Sequence, residues 1–311
     1  MENNLANFIT LSQKIGKNIS WIQAGGGNTS IKLSPEIMAI KSSGTLLKDM
    51  KEKSGYTFIN TKDLNHQLLT TATEKDYFSS LLNSVKTDSE TCLTRPSMET
   101  GFHAFLDTWV IHTHSVYVNV LACTSDYKRL LSKSDTDITY IDYKTPGYDL
   151  TNAIKTEYNN KPSSIFILQN HGIIVSSPSE YDAYNLHDDI NQKIISSLNL
   201  DLFKQKFNLT SQSKEYHIMN YNGAYTINQL THNILFPDQC IYISNNLVKE
   251  SQGIGIKGTL RQAQAVYEII CAYDYIHTQI EKNNFQVNYI DNSLIAHLQK
   301  MPSEKYRRKH L

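Results

Sequence analysis

Apolar positions Leu5, Phe8, Ile9, Leu11 and Ile15 recur at close to helical spacing and predict an amphipathic helix over residues 1–18. The next segment, Ala24-Gly25-Gly26-Gly27-Asn28-Thr29-Ser30, has no such periodicity and too many glycines for a regular element, so it reads as a loop. Two short strands are predicted at 31–33 and 37–41 around a Ser34-Pro35 turn, with a loop at Ser42-Ser43-Gly44 after them. Past a polar stretch, Arg95-Pro96-Ser97 starts a helix expected over 98–106. Then come a strand at 109–112, a helix at 116–122, a strand at 138–141 and a helix at 148–158. Strands at 164–168 and 173–175 and a helix at 180–198 complete this part. Short strands mixed with helices, without steady βα alternation, predict a layered α/β fold rather than a barrel of repeats.

From about residue 200 the pattern changes. Polar residues dominate 204–222, followed by a predicted strand at 240–244, a long helix at 260–282 and a last helix before Pro302. A boundary near residue 212 divides the chain into a unit of 1–211 and a smaller C-terminal extension of 212–311. The basic cluster at 305–309 reads as a solvated tail.

Bulk composition narrows the partners. Net charge is +0, with 30 basic and 30 acidic residues, which gives no reason to expect a nucleic acid or a membrane surface. No apolar run reaches the roughly 18–20 residues that span a bilayer. The start, Met1-Glu2-Asn3-Asn4-Leu5-Ala6, lacks the features of a secretory signal, so a cytoplasmic location is expected. Four cysteines, Cys92, Cys123, Cys240 and Cys271, form no CxxC pair and are expected to be buried thiols.

The chemistry-bearing segments are few. In Val110-Ile111-His112-Thr113-His114, residues two apart on a strand share a face, so His112 and His114 can present two imidazoles to one ion. HxH alone more often marks buried or hydrogen-bonded histidines than metal. His171, in Leu168-Gln169-Asn170-His171-Gly172 where a buried strand runs into a turn, supplies a third candidate; three protein ligands would leave a position open for substrate. Glu99, in Arg95-Pro96-Ser97-Met98-Glu99-Thr100, is welcome at a helix start for the dipole alone, yet beside an open metal it could move protons. The loop 25–30 matches neither the P-loop nor the dinucleotide fingerprint, but its N–H groups, like the turn at 43–45, could receive an anion.

Taken in order, Gly-Gly-Gly-Asn-Thr-Ser (25–30), Ser-Ser-Gly-Thr (42–45), Arg-Pro-Ser-Met-Glu-Thr (95–100), His-Thr-His (112–114) and Asn-His-Gly (170–172) resemble the class II aldolase and adducin family over about residues 5–200. The resemblance implies an α/β/α fold with a central, mainly antiparallel sheet. It also implies ligation of Zn2+, or another divalent transition metal, by His112, His114 and His171, with Glu99 as acid/base. Asn28, Ser43, Gly44 and Ser97 would hold a substrate phosphate or the group that replaces it. The implied activity is reversible cleavage of a ketose or ketose phosphate through a zinc-stabilised enediolate. Rival outcomes on the same site are sugar-phosphate 4-epimerisation, dehydration or decarboxylation, and an adducin-like scaffold belongs to another class. The family further implies a homotetramer or other homo-oligomer, with Tyr127 near the stretch where some members supply a second acid to a neighbouring subunit.

One departure stands out, and the end of the chain adds to the resemblance. Met98 occupies a place where family aldolases often have a second serine. The segments 235–239 and 303–307 look like parts of longer members, the aldolase half of bifunctional aldolase–dehydrogenases. His103, one helical turn after Glu99, is a candidate to orient it.

Overall fold

In the computed structural model, which describes residues 2–86, 95–130, 137–243, 246–251 and 253–310, strand alternation builds a three-layer α/β/α body. The central sheet uses β1 (Asn28–Ser34), β2 (Ile37–Lys41), β3 (Tyr56–Asn60), β4 (Trp109–Thr113), β5 (Ile138–Ile141), β6 (Ser164–Leu168) and β7 (Gly172–Ser177). Their order is β3-β2-β1-β4-β7-β6-β5, and every described pair is antiparallel except β5 with β6.

The period of two decides what packs where. On β6 and β7, Ile165, Ile167, Ile173 and Val175 face α5 (Val116–Ala122) and α8 (Glu180–Ser197). The alternate residues Phe166, Leu168 and Ile174 face α4 (Thr100–Phe105) and α7 (Tyr148–Glu157). On β2, Met38 and Ile40 meet α2 (Thr61–Thr70) and α3 (Glu74–Asn83), while Ala39 turns to the side covered by α1 (Glu2–Lys17). A short α6 (Tyr127–Leu130) precedes β5. Fully burying each such aliphatic chain stabilises the fold by about 1.5–3 kcal/mol, so a one-residue slip in register would be prohibitive.

The C-terminal part has its own sheet, of order β10-β11-β9-β8, from β8 (Leu209–Ser213), β9 (Tyr216–Met219), β10 (Leu247–Glu250) and β11 (Gly253–Lys257). Its helices are α9 (Ile227–His232), α10 (Pro237–Tyr242), α11 (Leu260–Lys282), α12 (Asn292–Lys300) and α13 (Pro302–His310). α11 starts with a capping box, Thr259 with Gln262, and lies against α5. One hydrophobic cluster joins α5, β6, β7 and α8 to β9, α10, β11 and α11, so the extension shares its core with the first unit.

Several expectations change. Of the strand predicted at 240–244, residues 240–242 are instead helical and Ser244 lies outside the described residues: Pro237 starts α10 and all six of its residues are buried, so β-rich Ile241 and Tyr242 pack as a fully covered helix. The helix expected from 98 begins at Thr100, because Pro96 is held extended in a bridge to Ser42. The basic cluster is not a free tail. It lies in α13, whose Arg307 side chain is only 14% exposed. Cys123, Cys240 and Cys271 are buried free thiols, and Cys92 lies outside the described residues. Among the described residues no helix is long and apolar enough to cross a membrane.

Candidate metal centre and active site

Strand register brings the distant motifs to one end of the sheet. Asn28 at the start of β1 pairs with His112 near the end of β4, and His112 pairs with Ile174 of β7. Leu168, the last residue of β6, pairs with Gly172, so His171 sits at the tight β6–β7 turn, where Asn170 has φ +53°. His114 falls one residue beyond β4 but keeps the alternation: Thr113 points the other way and bonds His187 of α8.

The rings of His112, His114 and His171 therefore converge. Their centroids are 4.9–5.0 Å apart, and one nitrogen of each lies within 4.8 Å of the others. All three are buried, at 0%, 4% and 3% exposure. Nδ1 of His112 donates to the Ile173 carbonyl at 3.0 Å, and Nδ1 of His114 donates to Asp238 at 2.8 Å. Each bond leaves Nε2 as the acceptor nitrogen, and neither Nε2 has a hydrogen-bond partner. Burial lowers the pKa of His112 and carries His171 well below the ordinary histidine value, which keeps those rings neutral and able to ligate. Buried, partnerless acceptors in so small a space fit a divalent ion, and the donor set fits zinc.

Glu99 stands at the N-cap of α4 but makes no capping bond; its carboxylate turns inward. Oε2 lies 3.5 Å from Nε2 of His112, and Oε1 3.5 Å from Nε2 of His171. The helix-dipole explanation for this acid is thus insufficient. Asn28 fixes the carboxylate, donating from Nδ2 to Oε2 at 2.7 Å and to Ser97 Oγ at 3.3 Å. His103 acts one step back: Nε2 bonds Asn28 Oδ1 and Nδ1 bonds Ser30 at 2.7 Å. It reaches Glu99 through Asn28, not directly.

Asn28, Ser43, Ser97 and Glu99 line a cavity with His114, His171, Lys41, Asp238, Glu304 and Arg307. Its volume, about 30 Å³, holds about two waters. Several groups expected to receive an anion are already engaged. The amide of Asn28 serves Glu99, the N–H of Ser43 donates to the Arg95 carbonyl at 2.8 Å, and the N–H of Gly26 donates to Gln23. The hydroxyl of Ser43 still lines the cavity, whereas Gly44 packs beneath His310 of α13. Tyr127 lies apart from the cavity, donating its hydroxyl to Asp142 at 2.7 Å; burial first, and then that carboxylate, push its pKa up.

Four charged residues of this cavity have no role assigned from the sequence, although Asp238, Glu304 and Arg307 fall in the segments 235–239 and 303–307. Lys41 is 3% exposed; among the described residues its ammonium has one hydrogen bond, 3.4 Å to the Ser42 carbonyl, and burial lowers its pKa to about 8. Asp238, Glu304 and Arg307 form a buried ion-pair cluster contributed by the C-terminal part.

The chain belongs to the class II aldolase and adducin family: the profile described as Class II Aldolase and Adducin N-terminal domain matches residues 7–192, more than half of it. Among solved structures it is similar to the N-terminal class II aldolase domain of a conserved protein from Thermoplasma acidophilum. The identity there is 24%, with 61% of this chain and 91% of that one covered and a TM-score of 0.53. An L-fuculose 1-phosphate aldolase gives 19% identity, coverage of 63% and 86%, and a TM-score of 0.45. A sugar-phosphate aldolase from Thermotoga maritima gives 11%, 64% and 95%, and 0.48. The first of these likenesses concerns the fold. No curated protein sequence matches the chain.

Proposed function

We propose that the chain is a metal-dependent aldolase that reversibly cleaves a ketose or ketose phosphate. The observation that carries the reading is the Glu99 carboxylate, 3.5 Å from a ring nitrogen of both His112 and His171 within a buried three-histidine cluster. His112, His114 and His171 would hold the ion, for which zinc is the natural choice with three imidazoles. When bound, it supplies Lewis acidity to a carbonyl and its neighbouring hydroxyl. Asn28 presents the Glu99 carboxylate in a fixed direction. In cleavage the hydroxyl on the departing carbon gives up its proton to water, the carbon–carbon bond breaks, and that fragment leaves as an aldehyde. The electron pair of the broken bond stays on the carbon beside the other fragment's carbonyl; one proton released and one delivered through Glu99 leave the balance unchanged. Glu99 moves the proton at that carbon, giving it in cleavage and taking it in synthesis. Lys41, Ser43 and Ser97 face the remaining space and receive the polar or anionic end of the substrate.

The test is product analysis on a panel of phosphorylated and free ketoses. Release of aldehyde is expected, and Glu99→Gln should keep the metal while lowering turnover by about 100-fold or more. Unaltered turnover in that variant would refute the role of Glu99. Epimerised sugar without free aldehyde would replace the aldolase reading with a 4-epimerase.

A further inference from the structure

The C-terminal extension reaches the histidine cluster at two of its three members. Asp238, the second residue of α10 and 1% exposed, accepts the Nδ1–H of His114 at 2.8 Å through Oδ2. Its other oxygen accepts from Arg307 of α13 at 2.6 Å, and Arg307 also donates to Glu304 at 2.8 Å. Asn170, the residue before His171, is held by the same part of the chain. Its Nδ2 donates to the carbonyls of Leu235 and Asn288, each at 2.8 Å, and its Oδ1 accepts from Asn288 at 2.6 Å.

The first unit leaves room for this approach. A Cβ at Gly26 would lie 2.5 Å from Asp238 Oδ2 and 2.6 Å from His114 Nδ1, so the glycine-rich loop is cut back where the carboxylate meets the ring.

Resting on the metal-centre reading above, we propose that Asp238 is a positioning residue of that centre and Arg307 its counter-charge. The carboxylate fixes His114 as the Nδ1–H tautomer and orients the ring, leaving Nε2 for the ion. A plain structural ion pair would hold α10 and α13 down without any effect on metal.

Zinc affinity, measured by competition with a chromophoric chelator, separates these alternatives when apo-protein unfolding in urea is followed in parallel. The full-length wild type is compared with Asp238→Ala, Asp238→Asn, Arg307→Met and Asp201→Asn, the last a control at the exposed pair with Lys282. Asp238→Ala should loosen zinc by about 10–100-fold and Asp238→Asn, which keeps an acceptor, by about 5-fold or more. Arg307→Met should weaken zinc in the same direction and Asp201→Asn should not. Zinc affinity in both Asp238 variants within about 2-fold of wild type, against the loss expected of an outer-shell partner, would overturn the proposal. If the alanine variant does not fold, the near-isosteric asparagine decides by that limit. A wild type that binds no zinc would instead overturn the metal-centre reading on which this rests.

Discussion

Replacing Lys41 with methionine should stabilise the protein. The ammonium is 3% exposed, makes one long hydrogen bond, and among the described residues has no carboxylate within ion-pair distance. Burial, with Arg307 adding repulsion, outweighs the attraction of Asp238 and Glu99 and lowers its pKa from 10.5 to about 8. At ~1.4 kcal/mol per tenfold in the proton equilibrium, that displacement costs about 3 kcal/mol while the group is charged. Methionine keeps most of the side-chain volume, so a gain of about 1–3 kcal/mol is expected at pH 7 after the lost hydrogen bond is allowed for. The pH dependence follows from the same displacement. Below about pH 8 both states carry the proton and the penalty is complete. Between 8 and 10.5 the unfolded chain holds the proton and the folded one releases it, so this group makes wild-type stability rise with pH; the variant lacks that rise. Urea unfolding reads the outcome as a midpoint raised by roughly 0.3–1 M with unchanged slope. A variant destabilised by about 1 kcal/mol or more would refute the reasoning, because Lys41 would then be a cation that Glu99 and Asp238 need.

Two further outcomes test the supports of the site. His103→Phe leaves Ser30 Oγ and Asn28 Oδ1 buried without their partner, so unfolding should become easier by about 2–4 kcal/mol, and turnover should fall as Asn28 loosens its hold on Glu99. A variant as stable as wild type in urea would show that those bonds are not needed. Gly44→Ala places a Cβ at φ +78° and 2.8 Å from His310 Cβ, so a loss of about 1–2 kcal/mol and faster protease cleavage near α13 are expected. An unchanged cleavage rate would mean that α13 is not seated on this loop.

Much of the first unit is legible because its strands alternate and its helices carry local start signals. Ile165 and Ile167 against Phe166 and Leu168 declare the two faces of β6, and Ser179 caps the start of α8. The histidine cluster is legible for the same reason, since HxH and a strand-end histidine need only register to meet. What escaped depends on contacts distant in sequence. Ile241-Tyr242-Ile243 has strong strand propensity, yet α10 is buried all round and tertiary packing decides its state. Asp238 meets a histidine 124 positions away, and no periodicity announces that pairing. Arg307 was hidden in a basic run that reads as a solvated face, although Pro302 at a helix start and Glu304 three residues before Arg307 were usable signals.

Metal analysis of the purified protein is the most direct test of the central claim. The wild type, dialysed without chelator, should retain about one divalent ion per chain by mass spectrometry of the elements, as a single three-histidine site requires. His112→Ala and His171→Ala should each lose it while remaining folded by circular dichroism. A wild type without tightly held metal, or full retention in both variants, would contradict the account.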